Sequence, residues 1–107
     1  MLRQVEETSN EVQLLQRLDE HNGAVNGVAV YGNRLVASGS GDKLVRVWSA
    51  CFDDENLTTI TGFQEMSYSP LDAHKYSVNH VEFSPCGTML ASCSMDGNTT
   101  IWNTDVI

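Results

Sequence analysis

The chain has 107 residues, of which 14 are acidic and 6 basic, giving a formal net charge of −8. That length allows a single domain, and a composition of 41% apolar and 19% charged residues belongs to a folded protein, not a disordered one. The acidic balance and the scatter of the cations (Arg3, Arg17, Arg34, Lys43, Arg46, Lys75) argue against nucleic acid or an anionic membrane as the main partner, because phosphate recognition needs clustered Lys and Arg.

Residues 1–11 are polar and unpatterned, and a flexible N-terminal segment is expected there. Gln13–Leu18 is predicted as a strand, although Leu14, Leu15 and Leu18 also fit one helical face. From Val25 onward the pattern is that of short strands. Val28 and Val30 alternate at period two, and Val25 stands out of phase with them, as a β-bulge at the strand start would require. A turn at Gly32-Asn33 leads to a second strand at Val36–Ser38, and Gly41-Asp42 leads to a third at Val45–Trp48. Asp53-Asp54-Glu55 reads as a solvated loop and Leu57–Thr61 as a β-branched strand, with a turn at Ser69-Pro70. The pattern then starts again. Val78, Val81 and Phe83 take the places of Val25, Val28 and Val30, followed by strands at Leu90–Ser92 and Thr99–Trp102.

The repetition extends to polar residues. His21, Ser38, Asp42 and Trp48 recur as His74, Ser92, Asp96 and Trp102. The histidine-to-aspartate interval is 21 residues in one copy and 22 in the other, and a tryptophan follows each aspartate by six. The copies are about 54 residues apart, longer than the roughly 40–45 of a four-stranded blade; the excess lies between Ser49 and Asp72. Repeated antiparallel meanders of this kind suggest β-propeller blades. Repeat 1 is expected over about 18–49, a linker with an outer strand over 50–72, and repeat 2 over about 73–103.

Serine, histidine and aspartate invite a hydrolase reading, in which Asp42 orients His21 and His21 activates Ser38. The set occurs twice in one frame, however, each time with a tryptophan, and neither serine lies in a Gly-x-Ser-x-Gly elbow. A buried chain of hydrogen bonds from indole to hydroxyl to imidazole to carboxylate accounts for both copies and gives each polar atom a partner. No catalytic residue is therefore expected. Three cysteines without CxxC spacing (Cys51, Cys86, Cys93) indicate reduced thiols and neither a disulfide framework nor a metal site, and no cofactor is implied. No apolar run approaches the roughly 18 residues of a membrane span. Glu6 and Glu7 stand where a signal peptide needs an apolar core, so a cytoplasmic or nuclear location is expected.

The His…Ser-x-x-x-Asp…Trp pattern and the Phe83-Ser-Pro-Cys-Gly87 turn resemble the WD-repeat β-propeller family over about residues 12–105. The resemblance implies an all-β, partial propeller: about two antiparallel four-stranded blades, the second incomplete, in a ring that is not closed. It implies structural tetrads at His21, Ser38, Asp42, Trp48 and at His74, Ser92, Asp96, Trp102. Glu20 and Ala73 depart from the family's preferred glycine, and Ser49 and Asn103 from the aspartate of its name-giving dipeptide. The segments Ser69–Val78 and Ala91–Thr104 are similar to the N-terminal propeller of those family members that also carry SAM and U-box regions. In such proteins the U-box recruits a ubiquitin-conjugating enzyme and the propeller selects partners; neither region is present in these 107 residues.

The resemblance further implies a non-enzymatic protein-interaction scaffold that binds protein partners through the rim. That places Lys75, Tyr76 and Met95 of the second blade, with Asn22 and Gly41 of the first, at the contact surface. Two blades leave two apolar faces open. The chain is accordingly expected to be a piece of a larger propeller and, alone, to be marginally stable and prone to self-association through those faces.

Overall fold

A computed structural model describes residues 12–105; the segment 1–11, expected to be flexible, lies outside the described residues. The described residues form two antiparallel sheets and no helix. The first sheet has the order β1 (Val25–Tyr31), β2 (Leu35–Ser40), β3 (Val45–Phe52), β4 (Ile60–Glu65), and the second β5 (Val78–Phe83), β6 (Met89–Ser94), β7 (Thr99–Asn103). Each sheet is a meander whose neighbours in sequence are neighbours in space, the arrangement of a propeller blade.

The change of phase at each inner strand is a register shift, between Val25 and Gly27 in β1 and between Val78 and His80 in β5. It turns the first valine of each strand onto the face that the later valines occupy. In β5 this buries Val78 and Val81, which pack with Leu90 against Ala37, Val45 and Val47 of the first sheet. The core is thus the contact between blades. Gly39 makes that contact possible, since a Cβ placed on it would come within 2.4 Å of Val78 Cγ1. Gly87 similarly lets the β5–β6 turn lie on the ring of Tyr31, which packs against Phe83 with centroids 6.3 Å apart. Asn26 adds a polar tie, its Nδ2 donating to the Ser77 hydroxyl and to the Val78 carbonyl, both at 2.9 Å.

Two expectations from the sequence fail, each for a local reason. Residues 13–18 form no strand. The Gln16 side chain does what a ladder would have done, its amide donating to the Phe63 carbonyl (3.0 Å) and its carbonyl accepting from the Phe63 amide (2.6 Å). The outer strand of the first blade starts at Ile60, not at Leu57. Asn56 closes a turn over Leu57–Thr59, its Oδ1 accepting from the amide and the hydroxyl of Thr58 and its carbonyl from the Thr59 amide. Side-chain capping by asparagine outcompetes the β preference of the threonines. The crossover to the second blade is pinned to β3: Leu71 and Val45 exchange backbone hydrogen bonds, and Arg46 pairs with Glu65 at 2.9 Å.

The β2–β3 and β6–β7 turns share one geometry, with a bond from the amide of Lys43 or Gly97 back to the Ser40 or Ser94 carbonyl. Both positions are left-handed, at φ 77° and 88°. An L side chain there costs about 1–2 kcal/mol, offset in part by glycine's greater chain entropy in the unfolded state. Lys43→Gly is therefore expected to raise stability in urea denaturation, by about 0.5–1 kcal/mol.

Candidate functional site

In the first blade, Ser38 lies on the central strand β2 and His21 on the loop that approaches β1. His21 Nε2 is 2.6 Å from Ser38 Oγ, and Nδ1 is 2.9 Å from Asp42 Oδ2. Asp42 also accepts the amides of Asn22 (2.9 Å) and Leu44 (3.0 Å). Burial of this carboxyl would raise its pKa, but the Asn22 amide, His21 and the Leu44 amide outweigh burial and hold the group at about 2 against an ordinary 3.8. Trp48 stands edge-on to the imidazole, with centroids 6.4 Å apart and planes at 80°.

In the second blade, His74 Nε2 is 2.8 Å from Ser92 Oγ, and Trp102 Nε1 donates to the same hydroxyl at 3.0 Å. Asp96 instead faces Asn98, accepting its amide on Oδ1 and its side-chain Nδ2 on Oδ2, both at 3.0 Å. These contacts, led by the Asn98 amide, lower its pKa. His74 Nδ1 is buried and has no hydrogen-bond partner among the described residues.

The four-membered chain expected in each copy is therefore present in part. His21 contacts Ser38 and Asp42, and Ser92 contacts His74 and Trp102, but no hydrogen bond joins Trp48 to Ser38 or His74 to Asp96 among the described residues. Two substitutions between the copies explain the second gap. Gly23 lets the first loop close over its aspartate, a Cβ there coming within 2.8 Å of the Asp42 amide nitrogen, and Tyr76 takes its place in the second. Leu44 offers Asp42 only its amide, whereas Asn98 offers Asp96 a second donor, its side-chain amide on Oδ2, which competes with His74 for that oxygen.

The first-blade distances are those of a Ser-His-Asp relay. Ser38 is 5% exposed and sits mid-ladder between β1 and β3. Its backbone is committed to the sheet and offers no free amide to a developing oxyanion. No group of three or more potential metal ligands occurs among the described residues.

The rim residues gather at one end. Gly41 donates to the Ala24 carbonyl (2.8 Å) and Met95 to the Ser77 carbonyl (3.0 Å), so each aspartate turn is tied to its histidine loop. Asn22, Lys75, Tyr76 and Met95 are exposed there. Of the three free thiols, Cys86 stands apart. It is exposed, and the Thr88 hydroxyl at 3.0 Å, then the Thr88 amide and the Ser84 hydroxyl, lower its pKa to about 7. The alternation Ser84-x-Cys86-x-Thr88 was the available signal.

The family model described as "WD domain, G-beta repeat" matches residues 12–49 and 65–103. The chain belongs to the WD-repeat family. Human "WD repeat, SAM and U-box domain-containing protein 1" is 39% identical over 94 residues, which are 88% of this chain and 17% of that protein. A Schistosoma japonicum "probable cytosolic iron-sulfur protein assembly protein CIAO1 homolog" is 39% identical over 66% of this chain and 18% of its own length. Gallus gallus "Protein HIRA" is 34% identical over 92% of this chain and 10% of its own. This WD-repeat chain thus matches less than a fifth of the length of each of these relatives. Among solved structures, Saccharomyces cerevisiae Sqt1 superposes with a TM-score of 0.61 at 22% identity, over 78% of this chain and 20% of that one. The computationally designed Ika4 protein superposes with a TM-score of 0.62 at 24% identity, over 87% and 49%. Both show the fold.

Two outcomes follow from the quartets. The Asp42 carboxyl has a lower pKa folded than unfolded, so its contribution is complete above about pH 4 and is lost as pH falls toward 2. Asp42→Asn should lower the urea midpoint at pH 7 and flatten its dependence over that acid window. Asn98→Leu should free Asp96 to accept His74 Nδ1–H and raise stability by about 1 kcal/mol, with a shift of the His74 Nδ1 resonance in a long-range proton–nitrogen spectrum.

Proposed function

We propose that this chain is a non-enzymatic protein-interaction module whose contact surface is the rim carrying Lys75, Tyr76 and Met95, with Asn22 and Gly41 beside them. The observation that carries the reading is Tyr76. It stands where the first blade has a glycine packed on its aspartate, it is 57% exposed, and the histidine below it lacks the carboxylate contact that the first blade makes. An aromatic presented to solvent where the local packing rule is broken marks a functional surface. Met95, 69% exposed and tied to the same loop, adds an adaptable apolar contact.

The eight quartet residues act in this reading as internal struts that hold the loops in place. In a longer chain that also carries SAM and U-box regions, the rim would select the protein on which the U-box acts. We place the chain in the cytoplasm or nucleus, supported by three free thiols among the described residues.

The full chain is expected to capture a discrete set of proteins from a cell extract. Tyr76→Ala combined with Met95→Ser should lose that set at least roughly ten-fold, as expected when central anchors are truncated, while the circular dichroism spectrum is kept. A serine-reactive fluorophosphonate should leave Ser38 unlabelled. Labelling of Ser38 that disappears in His21→Ala would replace this reading with a hydrolase.

A further inference from the structure

The two blades also meet at the end away from the rim. There the β1–β2 turn of the first blade lies beside the β5–β6 turn of the second, with Gly87 resting on the ring of Tyr31. The structure assigns a modification site to the cleft between these turns: Cys86 forms a mixed disulfide with glutathione, whose carboxylate is held by Arg34 and whose ammonium is held by Asp105.

The cleft encloses about 590 Å³ and is walled by both blades, so it belongs to a contact that the chain makes internally. Cavities of roughly 300–1,000 Å³ hold small organic ligands, and a tripeptide is of that size. Leu35 and Phe52 give the cleft an apolar wall, Arg34 and Asp105 bring opposite charges to it, and Ser67 adds a hydroxyl. Neither the Arg34 guanidinium nor the Asp105 carboxylate has a side-chain partner among the described residues. A cation, an anion and a hydroxyl around an apolar wall are what a zwitterionic peptide requires.

The thiol stands on a turn that is fixed from both sides. Buried Thr104 donates its hydroxyl to the Gly87 carbonyl and its amide to the Thr88 carbonyl, both at 2.8 Å. Gly87 is left-handed at φ 76° and leaves no room for a Cβ above Tyr31. Cys86 is thereby held exposed at the cleft. The Thr88 hydroxyl, ahead of the Thr88 amide and the Ser84 hydroxyl, lowers its pKa to about 7, and a thiol that ionises near the ambient pH attacks disulfides best. The first blade has Gly32-Asn33 at this turn, followed by Arg34, so the two copies bring unlike groups to one cleft. Cys51 and Cys93 are half-buried in β3 and β6.

The step is thiol–disulfide exchange, with oxidised glutathione as the oxidant. Cys86 releases its proton to solvent, and the thiolate attacks one sulfur of the glutathione disulfide. A bond forms between Cys86 Sγ and that sulfur, and the original S–S bond breaks. The second glutathione leaves as a thiolate with the electron pair. Excess reduced glutathione reverses the step by the same route.

The test incubates the full, reduced chain with oxidised glutathione near neutral pH and follows the adduct by intact mass and peptide mapping. One glutathionyl group is expected, on Cys86 ahead of Cys51 and Cys93. Arg34→Gln should slow the reaction by roughly two- to five-fold, the range of an exposed ion pair, and leave the rate with neutral hydroxyethyl disulfide unchanged. Asp105→Asn should slow oxidised glutathione relative to dithiodiglycolate, which has carboxylates but no ammonium. Thr88→Val should move the midpoint of the pH–rate profile upward from about 7 with every reagent. Preferential labelling of Cys51 or Cys93 would overturn the inference. So would wild-type rates with oxidised glutathione in the Arg34 and Asp105 variants, or equal slowing of the neutral reagent by Arg34→Gln.

Discussion

A serine hydroxyl held against a histidine nitrogen inside each blade is the contact on which the rest of the structure depends. It is the one side-chain bond of the quartets that both copies keep, at 2.6 Å and 2.8 Å. It joins the central strand to the loop that enters the inner strand. Both groups are largely removed from water, where an unpaired hydroxyl or imidazole would cost about 1–3 kcal/mol. Each anchors the other for that reason. With the histidine fixed, the loop after it can reach the aspartate turn only in one way, through the backbone bonds from Gly41 to Ala24 and from Met95 to Ser77. The rim is thus a consequence of the buried pair beneath it.

Each quartet keeps two of the three bonds in its chain, and the two differ in which second bond that is. The first blade keeps the carboxylate–imidazole pair, with its glycine loop closed over Asp42. The second keeps the indole–hydroxyl bond and leaves its imidazole unpaired on one side. A catalytic relay would require all of these groups to serve one reacting atom, whereas here either end is dispensable to the fold. The shared middle is what a strut needs. The Ser-His-Asp set of the first blade lies beside Trp48, on a serine in mid-ladder that is 5% exposed.

Strand order and the pairing of each histidine with its serine were legible in the sequence, because they follow from period-two alternation and from a repeat whose landmarks keep their spacing. The bulge at Val25 and Val78 was legible for the same reason, as a change of phase. What was not legible depended on single side chains competing for backbone. The threonines at 58 and 59 read as strand until Asn56 folds back on them, and 13–18 read as strand until Gln16 supplies both of the hydrogen bonds that a neighbouring strand would have made. The missing His74–Asp96 bond was hidden in the same way. Asn98 looks like an ordinary turn residue, and only the geometry shows its side-chain amide on Asp96 Oδ2.

Where the two copies differ most in size, four glycines of the first blade give way to side chains in the second: Gly41 to Met95, and Gly23 to Tyr76, Gly27 to His80 and Gly39 to Cys93. In the first blade Gly41 has only ordinary contacts, whereas each of the other three glycines has backbone or a valine side chain close to where a Cβ would lie. A substitution there would force apart elements that the fold brings together. In the second blade the corresponding sites face outward, Tyr76 on the rim and His80 and Cys93 on the side away from the first blade, so the steric demand for glycine is gone. A repeat compared with itself in this way separates positions constrained by a neighbour from positions released from one.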